Sequence, residues 1–307
     1  MSFPEYIDNS MLSDYKRCPT IWRRKYIDKM VKEDRSVHLH VGAVFAFGLE
    51  VTRRAYYEHK LSPDDAIAFG LHHLTLAYGN FEPPEKSLKT FERTFFALID
   101  YFIEYPLESD VIKPVFFGEN HGIEFNFAVP LPVRHPDTGE NLLYVGRFDM
   151  LAERNGALFG EDDKTASQLG ASWVKQWELD SQFTGYTWAM SQYGYNLTGF
   201  FVRGVAFLTH NIGHAQAIVY RPKWMVQEWL EQTCRIIQSM LHDYKANSYL
   251  KVLDKSACAS YSGCQYHQLC SSQHPISWYS QYVKNTWDPT VRAGLAPDLS
   301  ILSLFKG

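Results

Sequence analysis

The stretch Gly146 to Thr165, GRFDMLAERNGALFGEDDKT, decides how the chain is read. Two runs rich in apolar residues flank Glu153, Arg154, Asn155 and Gly156, a tetrapeptide with good turn chemistry, so the pattern predicts a hairpin of two strands. Successive side chains on a strand point to opposite faces. Asp162 and Lys164 therefore share one face, and Glu161 and Asp163 share the other. If the hairpin closes at that turn, Asp149 becomes a near neighbour of Asp162 across the ladder, and two carboxylates meet one ammonium. Taken alone, such a cluster reads more readily as a solvated acidic turn beside an edge lysine, since acidic clusters next to turns are common.

Outward from this hairpin the pattern changes twice. Upstream, residues 10–29 read as a basic amphipathic helix broken early by Pro19, followed by helices over 41–59, 62–78 with Ser62 as cap, and about 86–105. From residue 111 strands take over, at 111–120, 122–131, 141–151 and 156–165. A helix over 173–194, strands over 199–210 and 214–220, and a long helix over 221–244 complete the order. This predicts one α/β domain over 1–307, with a helical insertion at 38–106 and a core at 111–250.

Composition bounds the function. With 46% hydrophobic and 21% charged residues in 307, the chain is an ordinary soluble type; no apolar run approaches bilayer length, and the start lacks a signal-peptide layout, so a cytoplasmic location is expected. A net charge of -4 argues against a generally basic nucleic-acid-binding surface but leaves a local cationic groove open. Aromatic residues, at 15%, offer stacking surfaces for bases, although most such side chains fill cores.

Convergent carboxylates suit a hard divalent cation such as Mg²⁺ or Mn²⁺, which prefers oxygen ligands and acts as a Lewis acid on phosphate, while a neighbouring lysine balances charge at phosphorus. The next helix adds Gln182 and Tyr186 at i and i+4, on one face. Gly146 with Asp149, Asp162 with Lys164, and Gln182 with Tyr186 together resemble the RecB-like branch of the PD-(D/E)XK nuclease superfamily, marked by G-x-x-D, D-x-K and Q-x-x-x-Y in that order. The resemblance implies a restriction-endonuclease-like core, a mixed central sheet flanked by helices. It also implies that Asp149 and Asp162 are metal ligands, that Lys164 is the catalytic lysine, and that Gln182 and Tyr186 position substrate or lysine. Glu124 is a further candidate ligand, since family members often carry a glutamate on the first core strand; an exposed strand residue is the alternative.

One position departs from the family pattern. A histidine is usual in an early helix, within G-x-x-[apolar]-H, but Gly42 and Phe45 are followed here by Ala46. Glu50 lies one turn further on the same face and is the expected support for the metal, with His38 and His40 as substitutes.

Of five cysteines, Cys258, Cys264 and Cys270 recur with five residues between neighbours, and Cys18 stands near the other end of the chain. Four thiolates can hold a [4Fe-4S] cluster or zinc. One leading and three trailing cysteines also resemble the iron–sulfur subset of the superfamily, including AddB-type subunits and CRISPR adaptation nucleases, although the first gap here is longer than the C-x2-C common there. The resemblance covers about residues 10–275 and implies a [4Fe-4S] cluster joining the two ends of the nuclease domain through Cys18 and the 251–275 segment. Cys234 reads as a buried apolar residue, and His267 and His274 as surface histidines.

The expected function is a metal-dependent DNA exonuclease acting on ends or single strands, of the compact kind found in phages and mobile elements. Arg17, Arg23, Arg24 and Lys25 are candidate phosphate contacts, with a solvated face as the alternative. Two other readings stay open: a nuclease-fold protein that binds DNA or a partner without cutting, and an iron–sulfur electron-transfer protein. The tail from Trp278, ending LSILSLF, is expected to dock on this chain or on another subunit.

Overall fold

The computed structural model describes residues 2–32, 36–117, 120–259, 263–285 and 296–305. In chain order these form β1 (Tyr6–Ile7), α1 (Asn9–Arg17), α2 (Pro19–Trp22), β2 (Met30–Lys32), α3 (Val37–Tyr57), α4 (Pro63–Tyr78), α5 (Phe91–Glu104), β3 (Lys113–Pro114), β4 (Phe116–Phe117), β5 (Asn120–His121), β6 (Ile123–Arg134), β7 (Asn141–Arg154) and β8 (Ala157–Ala166). There follow α6 (Ala171–Lys175), α7 (Ser181–Gln192), β9 (Gly199–Phe207), β10 (Ile212–Tyr220), α8 (Lys223–Ala246), α9 (Lys255–Ala259), α10 (His267–Ser271) and β11 (Tyr282–Lys284). The chain divides into two compact units, one of Met1–Arg35, Phe127–Gly146 and Lys223–Val291, the other of Ser36–Asn126, Arg147–Pro222 and Arg292–Gly307.

In the first unit, α1 is capped by Asp8, whose carboxylate accepts from the Met11 N–H at 2.7 Å. It ends at Cys18, which is extended because Pro19 follows and disfavours a helical conformation before it. Tyr15 of α1 donates to Asp243 of α8 at 2.7 Å, and Phe3 packs on Trp22 with ring centroids 5.6 Å apart. A smaller core joins Cys18 and Ile21 to Tyr266 and Leu269.

The second unit carries the working sheet. β7 and β8 pair antiparallel as the hairpin reading required, with Met150 opposite Glu161. β8 and β9 pair in parallel, Asp162 opposite Val202, which demands a crossover, and α7 lies in that connection. β10 closes the order antiparallel to β9. Helices α3, α4 and α5 share a core with Val205 and Phe207 of β9. α3 and α4 approach closely at Gly70, where an added Cβ would overlap the Thr52 hydroxyl. The tail docks here: Ile301, Leu302 and Phe305 join this core, and the Asp298 N–H donates to His73 Nε2 at 2.9 Å.

Two element expectations and one burial expectation change. The helix expected over 173–194 is three pieces, because the Asp180 carboxylate accepts from the Gln182 and Phe183 N–H groups and starts α7 afresh. The strand expected over 111–120 is two short strands and the start of a third, β5, with residues 118–119 outside the described set. Cys234, expected to be buried, is half-buried on α8, while His267 and His274 are exposed as expected. Among the described residues no helix is long and apolar enough to cross a membrane.

Candidate active site

The alternation of β8 divides four consecutive charged residues between two environments. Glu161 and Asp163 turn toward α3 and α5. Arg53 of α3 contacts Glu161 at 2.7 Å and Asp163 at 2.9 Å, and Tyr101 of α5 donates to Asp163 at 2.7 Å. Arg203 of β9 reaches Glu161 at 3.3 Å and grips Asp110 with two bonds of 2.7 and 2.6 Å. Two guanidiniums thus face three carboxylates in a buried network. Burial pushes Glu161 upward, and Asp163 adds to this against the pull of Arg53.

Asp162 and Lys164 turn the other way. Lys164 Nζ lies 2.5 Å from Asp162 Oδ2, and the Gln182 amide of α7 donates to Asp162 Oδ1 at 3.1 Å. Asp149, on β7 one residue before the Met150–Glu161 pair, accepts from the Asp163 backbone N–H at 2.7 Å. Tyr186, one turn beyond Gln182, accepts from the Arg147 backbone N–H at 3.3 Å, which fixes the ring against the Gly146-to-Asp149 segment.

Glu124 enters by a backbone irregularity. Ile123 and Glu124 are both buried, which breaks the alternation of β6, and Glu124 adopts φ +52, a left-handed conformation unfavourable for a residue with a Cβ. Arg54 of α3 holds the turn by donating to the Ile123 carbonyl at 3.0 Å, and Arg147 contacts the Glu124 carboxylate at 2.6 Å. Glu124 is thus a non-glycine residue at positive φ whose buried carboxyl is influenced by that of Asp149.

The electrostatics show a site short of positive charge. Burial, reinforced by Asp149, pushes Glu124 up to about 8. Burial raises Asp162 to about 7, with Lys164 opposing and Asp149 reinforcing the rise. Asp149 is raised by burial and by Asp163. Burial also works against the Lys164 ammonium, but Asp162 and Asp149 outweigh it and hold the lysine charged. Hard oxygen donors that crowd one another in this way fit a divalent cation. Among the described residues, no three His, Cys, Asp or Glu side chains stand in coordination geometry; Lys164 and Arg147 engage the Asp162 and Glu124 carboxylates instead.

The substitutes for the family histidine lie as follows. Glu50 is buried and pairs with Arg54 at 3.0 Å. His40 stacks on Phe81, with centroids 4.0 Å apart, and His38 is exposed, with burial and the charge of Lys89 lowering its pKa.

In the first unit, the Val252 N–H donates to Cys18 Sγ at 3.5 Å, and Cys258 Sγ contacts the Val252 carbonyl at 3.8 Å. Arg24 donates to Cys270 Sγ at 3.1 Å and Arg17 to the Ala257 carbonyl at 2.7 Å. Burial raises the Cys264 thiol, Arg17 opposes that rise, and Cys270 and Cys258 add to it. Of the four basic residues expected to meet phosphate, Arg17 and Arg24 are therefore turned to the cysteine segment, Lys25 pairs with Asp14 at 2.8 Å, and Arg23 lies 3.4 Å from Asp28.

Comparison with known families decides the relationship, because the family model of the PD-(D/E)XK nuclease superfamily matches residues 9–271. The chain belongs to that superfamily. No curated protein matches the sequence. Among solved structures it is similar to a "Putative exonuclease" from Eubacterium rectale, at 15% identity and a TM-score of 0.46, covering 82% of this chain and 87% of that one. It is also similar to the protein SSO0001, at 12% identity and a TM-score of 0.30, covering 68% and 77%.

The nuclease-superfamily signature in the sequence pointed to one face of β8 and missed the other. Arg53, Tyr101, Asp110 and Arg203 hold the strand from behind, and Arg54 and Arg147 hold Glu124. Two signals were available, the adjacent arginines at 53 and 54 in a mostly apolar helix and Arg203 inside the apolar run GFFVRGVAF, since buried cations imply buried anions.

Proposed function

We propose that this chain is a metal-dependent deoxyribonuclease of the RecB-like branch, cutting phosphodiester bonds as an exonuclease on DNA ends or single strands. The observation that carries the reading is the approach of Asp149 to both Asp162 and Glu124, with Lys164 on Asp162 and each of the three carboxyls raised. Asp149 and Asp162, with Glu124 alongside, would hold Mg²⁺ or Mn²⁺, which when bound supplies charge neutralisation and Lewis acidity toward the scissile phosphate. Lys164 places a fixed positive charge where negative charge grows on phosphorus, and Asp162 keeps that ammonium protonated. Gln182 orients the Asp162 carboxylate, and Tyr186 packs against the motif backbone.

Cys18, Cys258, Cys264 and Cys270 would hold a [4Fe-4S] cluster, with zinc as the alternative. Thiol donors, the shared Val252 backbone and the positive charges of Arg17 and Arg24 suit a bound thiolate cluster. Its role would be structural, pinning Cys18 to the trailing segment. Iron, sulfide and zinc assays on anaerobically purified protein distinguish the two metals.

The test of the activity is cleavage of end-labelled single- and double-stranded DNA with Mg²⁺ or Mn²⁺. Wild type should degrade DNA from an end, and Lys164→Ala and Asp149→Ala should each lose about 10²-fold or more. A second reading, a DNA-binding protein that does not cut, is favoured by Ala46 and by the Glu50–Arg54 and Glu124–Arg147 pairs. Binding without cleavage by folded wild type would select it.

A further inference from the structure

A line of aromatic rings leads away from Tyr186, whose helix also carries the Gln182 that bonds Asp162. Tyr186 packs on Phe148 with ring centroids 4.8 Å apart, Phe148 on Phe125 at 6.2 Å, Phe125 on Phe117 at 5.2 Å, and Phe117 on Tyr195 at 5.5 Å. Tyr186 and Phe148 are buried, Phe125 and Phe117 are half-buried, and Tyr195 is 41% exposed. A single exposed aromatic needs no explanation, but a contiguous series that opens outward from a charged site is a surface that a ligand can cover.

The outer rings stand on backbone tied to the site. Phe125 follows Glu124 in β6, and Phe117 lies in the β4–β5 hairpin, opposite Asn120. Tyr195 closes α7: its N–H donates to the Met190 carbonyl at 3.0 Å and the Gly194 N–H to the Ser191 carbonyl at 3.1 Å, a Schellman end in which Gly194 takes φ +82. Rings held in this way lose little freedom when a ligand covers them. Arg147, whose side chain is 37% exposed, contacts Glu124 next to Phe125 in sequence. A cation suited to phosphate thus stands at the inner end of flat apolar faces suited to bases. A single strand presents both groups, whereas a duplex keeps its base faces stacked inside.

We infer that Phe117 and Tyr195 stack an unpaired base of the DNA strand bound at the Asp162 site, selecting single strands or frayed ends over intact duplex. The contact is with the face of the base, so it reads strandedness and not sequence. It rests on the nuclease reading above and names the substrate class of the same site.

The test compares binding of a labelled oligothymidylate, an abasic strand of the same length and a blunt duplex by Lys164→Ala protein, alone and combined with Tyr195→Ala, Tyr195→Leu or Tyr195→Trp. Tyr195→Ala should weaken oligothymidylate binding about fivefold to tenfold and leave the abasic strand and the duplex unchanged. The slope of log affinity against log salt should stay the same, since no charge is lost. Tyr195→Trp should restore the affinity. Tyr195→Leu keeps apolar packing on Phe117 without a ring face, so it should bind as weakly as Tyr195→Ala, and it supplies the answer if the alanine variant folds poorly. An equal loss on the abasic strand, or no loss on oligothymidylate, would overturn the stacking contact, and cleavage by wild type would then still uphold the nuclease reading. Tyr195→Leu binding as tightly as its parent would overturn it equally and reassign the series to an apolar segment of a protein partner. A wild type that neither binds nor cuts DNA would remove both.

Discussion

On one face of β8, Glu161 and Asp163 meet Arg53, Arg203 and the Tyr101 hydroxyl, whereas on the other Asp162 meets a single lysine and crowds against Asp149, which in turn crowds Glu124. The residue types are the same and the outcome differs. The inner face is closed, and its carboxylates are bonded to two guanidiniums and a phenol, so these contacts fix the height and twist of the strand. On the outer face the carboxylates crowd one another, and folding alone does not relieve that repulsion. A strand that must present two strongly repelling groups in a fixed geometry needs a firm attachment behind them, and the guanidiniums supply it.

The largest effect should come from breaking the inner face. Arg53→Met leaves Glu161 and Asp163 buried without their main counter-charge and should destabilise the fold by about 3–5 kcal/mol, read by urea or thermal unfolding at neutral pH. A loss under about 1 kcal/mol would mean that Arg203 and Tyr101 suffice, and the contrast between the faces would lapse.

Sharpening the comparison from the outer face gives a smaller effect of opposite sign. Asp162 ordinarily titrates near 3.8 and is raised to about 7 in the fold. Below about pH 4 it is protonated in folded and unfolded chains alike and has no effect. As pH rises toward 7 the unfolded chain releases its proton while the folded chain retains it, so stability falls through that window. Metal-free wild type should therefore lose stability from about pH 4 to 7. Asp162→Asn should recover about 1–3 kcal/mol at pH 7.5 and nothing at pH 4, even as it abolishes cleavage. Added Mn²⁺ should narrow the difference by stabilising wild type alone. Equal stability of the two proteins at both pH values would show that the outer face is not short of positive charge.

The outer face was legible in the sequence because it is local. Asp162 and Lys164 are two apart on a strand, Gln182 and Tyr186 four apart on a helix, and the Asn155-Gly156 turn fixes the partner of Asp162, so periodicity alone brings them together. Arg53, Tyr101, Asp110 and Arg203 come from three helical or loop segments and a strand up to 150 residues apart, Arg53 to Arg203, and no spacing rule links them. The Asp180 cap was legible in type but was overridden by the apolar rhythm of residues 173–194. The turn that buries Glu124 could not be read, because GIEFNF alternates as an ordinary strand would and the left-handed residue carries no glycine or asparagine to mark it.

That turn offers the finest test. Glu124→Gly and Glu124→Gln both remove the carboxylate that repels Asp149, so each should gain stability near neutral pH relative to metal-free wild type. Glycine alone also relieves the positive φ, a contribution of about 1 kcal/mol. In the metal-free protein Glu124→Gly should therefore unfold later than Glu124→Gln by about that amount. If strain at Glu124 serves to aim the carboxylate, both variants should bind Mn²⁺ more weakly than wild type and by the same factor, because the lost ligand and not the relaxed backbone decides affinity. A glycine variant no more stable than the glutamine one would show the backbone to be unstrained, and the buried pair Ile123 and Glu124 would then be an ordinary bulge.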